Sequence, residues 1–366
     1  MPQIIYSQER LEIIAPNIDD FRELNPNDHN QFDSWIASYA NAIQSNDPET
    51  GLLSIGREIY DWLNASDHIF DRMMDEMDQP PYIIEFIIPR RPDNNALRFL
   101  EVPWELIVDN NGFLAGDTYT MFCPIRRIGN KQNTPEPSPY RLSAVFMAAS
   151  PEGVGHLRFE DEESAILDAV QGMGMDLTVE ESGNLDLLAN CMAEQEQVDV
   201  LHISCHGQLQ TQPLLILETE EGMRDPVPTE TFARRLGSNR PRLLFLSACT
   251  TSEPMQNKND ADLHHQYVSY ASAMIRSGMP AVIGWSGSVR DVEATRFANK
   301  LYDYLSHSES IESAVALSRL ALLTPDDPKE KTARDWHLAR LYLGSTGGNV
   351  IQRKAGPTPA GSGCRA

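Results

Sequence analysis

The sequence predicts an α/β protein built on a mostly parallel central sheet covered on both faces, preceded by a smaller α+β supporting half. From Leu142 onward, short apolar runs alternate with stretches of helical periodicity. Buried parallel strands read as continuous apolar runs because helices cover both of their faces. Residues 1–135 have a different texture, with long helical periodicities, one β-prone run and one hairpin signal. Two of the later apolar runs also end in reactive residues, Ser204-Cys205-His206-Gly207 and Ser247-Ala248-Cys249-Thr250-Thr251.

In the first half, QFDSWIASYANAIQ (31–44) and LLSIGREIYDWLNASDHIFDRMMDEM (52–77) carry apolar residues at helical spacing, so residues 1–80 read as mostly helical. Gln79-Pro80-Pro81 stops the second run, YIIEFIIP (82–89) is β-prone, and Asn110-Asn111-Gly112 marks a hairpin turn. The polar, proline-containing segment 129–141 places a domain boundary there. We divide the chain into a supporting subdomain at 1–135, a second domain at 142–350 and a disordered tail at 351–366.

The second half reads as strands at 143–150, 176–182, 198–204, 213–218, 243–249 and 280–286. Helices are expected at 163–174, 184–196, 229–237, 264–278, 291–307 and 310–323. Thr229 and Gly237 supply start and stop signals for one of them.

Composition bounds the function. With 366 residues, 41% hydrophobic and 23% charged, this is an ordinary globular composition, and no run of 18 apolar residues suggests a membrane span. The N-terminus lacks a secretion signal, so a cytoplasmic location is expected. Thirty basic against 53 acidic residues give a net charge of −23, which repels phosphate backbones and anionic lipid; direct nucleic-acid and membrane partners are not expected. Cys123, Cys191, Cys205, Cys249 and Cys364 form no CxxC pair, arguing against a zinc ribbon or a disulfide scaffold. No metal or other cofactor is expected. A zinc set of Cys205, His206, Cys249 and His264 or His265 has no geometric support.

The reactive strand ends carry the chemistry. In open α/β sheets, reactive groups lie just beyond the carboxyl ends of strands. If the strands ending at 204 and 249 are neighbours, His206 and Cys249 emerge on one edge. An imidazole beside a thiol favours the nucleophilic thiolate and later protonates the leaving group. Gly207 allows a sharp turn that aims its N–H, with that of Cys249, at a developing oxyanion. Cys205, adjacent to His206, projects to the opposite face of the strand. His202 reads as a core histidine.

The blocks VDVLHISCHG, RPRLLFLSACTTSE, YASAMIRSGMPAVIG with SVRDVEATRFANKLYDYL, and SIESAVALSRLALL resemble the CHAT family of caspase-like cysteine peptidases, as does LEVPWELIVDNNGFLAGD upstream. The resemblance implies a caspase-like three-layer sandwich, with the first half an inactive caspase-like or helical partner. It places the base on His206, the nucleophile on Cys249, and the oxyanion donors on the backbones of Gly207 and Cys249. The family's Val-x-Asp falls on Val289 and Asp291.

Many relatives have Trp-Pro before that valine, where this chain has Gly287-Ser288, with Trp285 two positions earlier. Trp285, Gly287, Ser288, Asp291 and Glu293 are therefore the candidate P1-pocket residues. Ser-Ala-Cys-Thr-Thr replaces the caspase motif around the nucleophile, so aspartate specificity is not inherited; the reading favours a long P1 side chain. Asp291 also reads as a helix N-cap. The implied function is a cysteine endopeptidase that cleaves a dedicated protein, switched on by a partner or signal in bacterial defence or cell death. A silent caspase-like scaffold and a non-peptidase thiol enzyme are the alternatives. The polar loop 250–265 is expected to be mobile and to shape the substrate cleft.

Overall fold

The computed structural model describes residues 1–45, 48–133, 142–154, 159–170, 175–209, 213–249, 270–307, 309–325 and 334–348. The expected mobile loop at 250–265 and the expected tail at 351–366 lie outside the described residues.

The amino-terminal residues correct the helical expectation. Gln3–Tyr6 (β1), Arg10–Ala15 (β2) and Ile18–Glu23 (β3) form an antiparallel meander. Their signal is alternation: Leu11, Ile13 and Ala15 are buried in β2 while Arg10 is exposed. A period of two over six residues is lost in a window long enough to detect a helix. Helix α1 (Pro26–Gln44) starts earlier than expected, because Asn25 and Asp28 close a capping box and Pro26 opens the first turn. The run expected as one helix over 52–77 is two, α2 (Pro48–Asn64) and α3 (Ile69–Asp75). Between them Ala65 and His68 adopt φ of 45° and 49°, and Asn64 bonds Asp71 across the break. After β4 (Ile83–Ile88) come α4 (Asn94–Glu101), a small hairpin of β5 (Val108–Asp109) and β6 (Gly112–Phe113), and β7 (Cys123–Ile128). The hairpin turns at Asn110-Asn111, and Gly112, with φ 133°, opens β6, where the asparagine-glycine signal places the turn. Neither α4 nor β7 is anticipated by the sequence reading.

The second half follows its predicted alternation closely. It comprises β8 (Leu142–Ala148), α5 (Phe159–Val170), β9 (Met175–Glu180), α6 (Leu185–Glu194), β10 (Val200–Leu209), β11 (Pro213–Glu218), β12 (Arg224–Pro228), α7 (Thr229–Leu236) and β13 (Leu243–Cys249). A helical stretch at 270–276 precedes β14 (Ala281–Trp285). Helices α8 (Asp291–Ser306) and α9 (Ile311–Leu323) and strand β15 (Ala339–Leu343) complete it. Unanticipated here are β12, beside the hairpin strand β11, and β15. Thr229 is the first helical residue of α7 rather than its cap.

Thirteen strands of the described residues form one sheet, ordered β12-β11-β10-β13-β14-β15-β7-β4-β1-β2-β3, with β8 and then β9 on the β11 side of β10. Pairings along β9-β8-β10-β13-β14 are parallel, as are β15-β7-β4-β1. The sheet is therefore mostly parallel. The boundary placed at 135 is not an edge of it: β7 and β15 pair across the two halves. Helices cover both faces of the sheet around β10, β13 and β14. On one face, His202, Phe245 and Trp285 contact Tyr302 and Phe297 of α8. On the other, a Cβ added to Gly207 or Gly284 would meet Tyr270 or Ala271. Among the described residues, no helix is long and apolar enough to cross a membrane.

One buried apolar cluster runs from Ile4 to Leu343 and so spans both halves. At its centre Glu105 accepts two hydrogen bonds from Arg126, at 2.5 and 2.8 Å, with Arg319 and Arg340 each 3.7 Å away. All four side chains are fully buried. Backbone carbonyls of Leu100, Val102, Ala339 and Glu101 take further guanidinium donors. Burial alone would raise the Glu105 carboxyl; the three guanidiniums overcome it and hold it at about 2.

Replacing Glu105 by Gln strands three buried guanidiniums, and the expected loss is about 3–5 kcal/mol of stability near neutral pH, read by urea unfolding. A carboxylate depressed in the fold contributes fully above its unfolded value of 4.5 and progressively less as pH falls towards about 2. The Glu105→Gln protein should therefore lack that part of the acid destabilisation. A variant as stable as the parent would refute the central role of this group.

Candidate active site

The buried runs of β10 and β13 lie side by side and parallel. Their register is one for one from Val200↔Leu243 to His206↔Cys249. Neighbouring strands are separated by about 4.8 Å, so the backbones of His206 and Cys249 are one strand spacing apart at the carboxyl edge. His206 is buried. The two residues expected as base and nucleophile are thus brought to partnered positions. The four-residue zinc set includes His264 or His265, both outside the described residues.

Beneath this pair, two rungs down the strands, sits a polar group that sequence reading missed. Register places Ser204 opposite Ser247 and His202 opposite Phe245. Glu162 of α5 accepts a hydrogen bond from Ser247 Oγ at 2.9 Å and lies 3.3 Å from His202 Nε2. Burial pushes the Glu162 carboxyl up, but His202 and the hydroxyls of Ser247 and Ser204 more than compensate and hold it below the usual range. His202 stacks on Phe245 with ring centroids 4.3 Å apart, and its Nδ1 is 3.3 Å from the Tyr302 hydroxyl. It is a core histidine, as expected, and it also serves Glu162. No local signal marks Glu162, because its helix opens on the acidic run Glu160-Asp161-Glu162-Glu163, which reads as a solvated face.

Three other cysteines, Cys123, Cys191 and Cys205, are free thiols among the described residues. Burial pushes the Cys123 thiol up to about 11 and raises that of Cys191. Cys205 is buried in the apolar core.

Gly207 corrects an expectation. The strand expected to end at 204 continues to Leu209, pairing antiparallel with β11 through His206↔Ile216 and Gly207↔Leu215. Gly207 is thus a strand residue and not a turn. Its missing side chain is explained on the other face, where a Cβ would lie 3.1 Å from the Tyr270 ring.

The segment after β14 carries the pocket candidates. Trp285 is buried, with its ring 5.2 Å from that of Phe297, and its indole N–H has no hydrogen-bond partner among the described residues. Gly287 is buried where a Cβ would meet Leu338 at 3.1 Å and Ile43 at 3.7 Å. Ser288 is exposed and Asp291 half-buried. Asp291 is the first helical residue of α8; the cap position belongs to Arg290. Asp291 and Glu293 still lie in the first turn, where carboxylates suit the helix dipole. Glu293 is buried and engaged: it accepts the Asp335 N–H at 2.9 Å and pairs with Arg290, which also bonds Asp335. Burial first, and then the Asp335 carboxylate, raise its pKa.

Helix α1 supports this segment from below. The Tyr39 hydroxyl is 2.7 Å from His337 Nδ1 and 3.4 Å from Ser286 Oγ, all fully or nearly fully buried. Burial lowers His337 to about 4, so the ring is neutral at ordinary pH. These partners are separated by 298 and 247 positions, beyond any local reading.

The CHAT domain family profile matches residues 91–345, more than half of the chain. The chain belongs to the CHAT domain family. Its CHAT region begins before α4, so α4, the small hairpin and β7 lie inside the family's unit. A search of curated proteins finds no significant sequence match. Among solved structures, the CHAT chain is similar to the Arg-specific cysteine proteinase gingipain R, at 10% identity and TM-score 0.45, covering 89% of this chain and 75% of that one. It is also similar to the Drosophila initiator caspase Dronc, at 10% identity and TM-score 0.34, covering 62% and 95%. The Saccharomyces cerevisiae separase–securin complex matches at 12% identity and TM-score 0.40, covering 86% of this chain and 22% of the separase-complex chain.

Tyr39→Phe removes the hydroxyl that bridges His337 and Ser286. Leaving buried polar atoms unpaired costs about 1–3 kcal/mol. We expect that loss in urea unfolding, with faster amide exchange at 286–288 and unchanged exchange in β10. Unaltered exchange at 286–288 would show that α1 does not hold the segment.

Proposed function

We propose that this CHAT chain is a cysteine endopeptidase working through His206 and Cys249. The observation that carries the reading is the parallel register that sets these two residues opposite each other at the carboxyl edge of one sheet. The imidazole of His206 takes the proton of the Cys249 thiol, and the thiolate attacks the scissile carbonyl. The developing oxyanion receives backbone N–H groups, for which Gly207 and Cys249 are the candidates. Protonated His206 then gives its proton to the leaving amine, and water, deprotonated by the same ring, releases the acyl group.

A protein substrate with a long P1 side chain (Lys, Arg or Met) fits this reading. Asp291 is the acid assigned to a basic P1, since the Glu293 carboxylate is already engaged by Arg290 and Asp335. Residues 1–135 act as the supporting part of the same sheet, through β15 and β7. The family resemblance adds activation by a protein partner or signal, in a cytoplasmic role in bacterial defence or cell death, with no cofactor.

Cys249→Ala and His206→Ala should each remove cleavage by several orders of magnitude, because a nucleophile and its base act as a unit. Both should keep the parent's unfolding transition, while Cys205→Ala keeps most activity. The measurement is appearance of new protein N-termini in cells carrying the parent but not the Cys249→Ala chain. More than about a tenth of the activity remaining in Cys249→Ala refutes the dyad. A parent chain that neither cleaves nor reacts with a peptidyl electrophile would be a scaffold instead.

Peptide libraries should show a basic or methionine P1. If P1 is basic, Asp291→Asn should weaken that preference about tenfold. A P1 aspartate, or a basic preference indifferent to Asp291→Asn, would overturn the pocket assignment.

A further inference from the structure

Gly207 raises the question of what occupies the face opposite His206. The answer is Tyr270, the next described residue after Cys249. It is buried, and its ring lies where a Cβ on residue 207 would be, with Cε2 at 3.1 Å and Cζ and Oη at 3.3 Å. At 3.1 Å a methyl group would force the buried ring to give by a few tenths of an ångström, and a ring held in a core resists such a shift.

The Tyr270 hydroxyl sits at the mouth of the β10–β11 hairpin. It donates to the Gln208 carbonyl, has the Leu214 carbonyl at 2.7 Å as a second acceptor, and accepts the Leu214 N–H at 3.2 Å. Gln208 and Leu214 are register partners. One phenol therefore ties the two strands together directly beyond Gly207. Among the described residues, β10 pairs with β8 as far as Ser204 and with β13 as far as His206. Past that point its described partner is β11, the strand that the phenol ties to it.

We propose that Tyr270 is a positioning residue that fixes the tip of β10, and with it the backbone N–H of Gly207, for oxyanion stabilisation. This rests on the peptidase reading above. The glycine and the tyrosine form a matched pair: the ring presses on the bare backbone at 207 while its hydroxyl holds residues 208 and 214. Catalysis is sensitive to such placement, since a shift of about 1 Å can cost 10²-fold in rate.

The test uses the full chain with a cleaved peptide, together with amide exchange that needs no substrate. Tyr270→Phe should lower kcat by about 10- to 100-fold with KM within about twofold, and should speed exchange at Gly207, Gln208 and Leu214. Alkylation of Cys249 by iodoacetamide, which builds no oxyanion, should be unchanged, while reaction with a peptidyl aldehyde slows in step with kcat. Gly207→Ala should lose most activity in the parent but far less in a Tyr270→Ala background, because the clash partner is gone.

Unchanged exchange in Tyr270→Phe, or strictly additive effects of Gly207→Ala and Tyr270→Ala, overturns the matched pair. Faster exchange with unchanged kcat overturns the catalytic role while leaving the clamp. If the parent cleaves nothing and ignores the aldehyde, the peptidase reading fails and the oxyanion role fails with it. The exchange result then still decides whether Tyr270 holds the strand.

Discussion

Everything proposed for this molecule hangs on the register between β10 and β13. The chemistry needs an imidazole and a thiol one strand spacing apart, and a slip of one residue would turn either of them to the wrong face. Parallel strands have no tight turn to set their register, so side-chain contacts must do it. Here the contacts are unusually polar for a core. His202 stacks on Phe245 four residues before the pair, and Glu162 reaches Ser247 on one strand and His202 on the other. A carboxylate that satisfies groups on two neighbouring strands pins them longitudinally in a way that leucines, which tolerate sliding, do not.

Tertiary context explains which parts of this arrangement could be read in advance. Strands β11 and β13 were legible to the residue because their apolar runs are bounded by prolines, glycines and polar residues. The pairing of the strand ends that carry His206 and Cys249 was legible because reactive residue types at two strand ends are a local feature. The meander of β1 to β3 was not, since alternation over four to six residues is weak beside the strong helical periods that follow it. β15 was also missed, being a five-residue strand with Arg340 at its centre. That arginine looks like a surface residue until Glu105, 235 positions away, is found 3.7 Å from it. The same holds for Glu162, Tyr39 and Tyr270: each is an ordinary helical residue in the sequence, and each acquires its role from a partner on a distant element.

The two halves of the chain are joined by polar rather than purely apolar means. Glu105 and Arg126 come from the first half, Arg319 and Arg340 from the second, and all meet out of water. Buried ionic groups contribute little net stability compared with well-packed apolar ones, but they tolerate few alternative arrangements. Tyr39 extends the same principle to the edge of the sheet, where a helix of the first half holds the segment that follows β14. Residues far apart in sequence thereby hold the segment that follows β14.

The place of β15 in the sheet has a consequence for how the protein comes into being. It is the last strand of the described chain, yet it lies between β14 and β7, antiparallel to one and parallel to the other. Until it inserts, β14 and β7 are open edges facing each other, and the strands already made cannot close into one sheet. Contacts of such long sequence separation form late, because their loop-closure entropy is lost before any pairing compensates. During synthesis, then, the strands bearing His206 and Cys249 exist before the sheet that holds them is whole. A nascent chain would carry both residues without the rigid edge that aligns them, so their juxtaposition waits on the closing of the sheet.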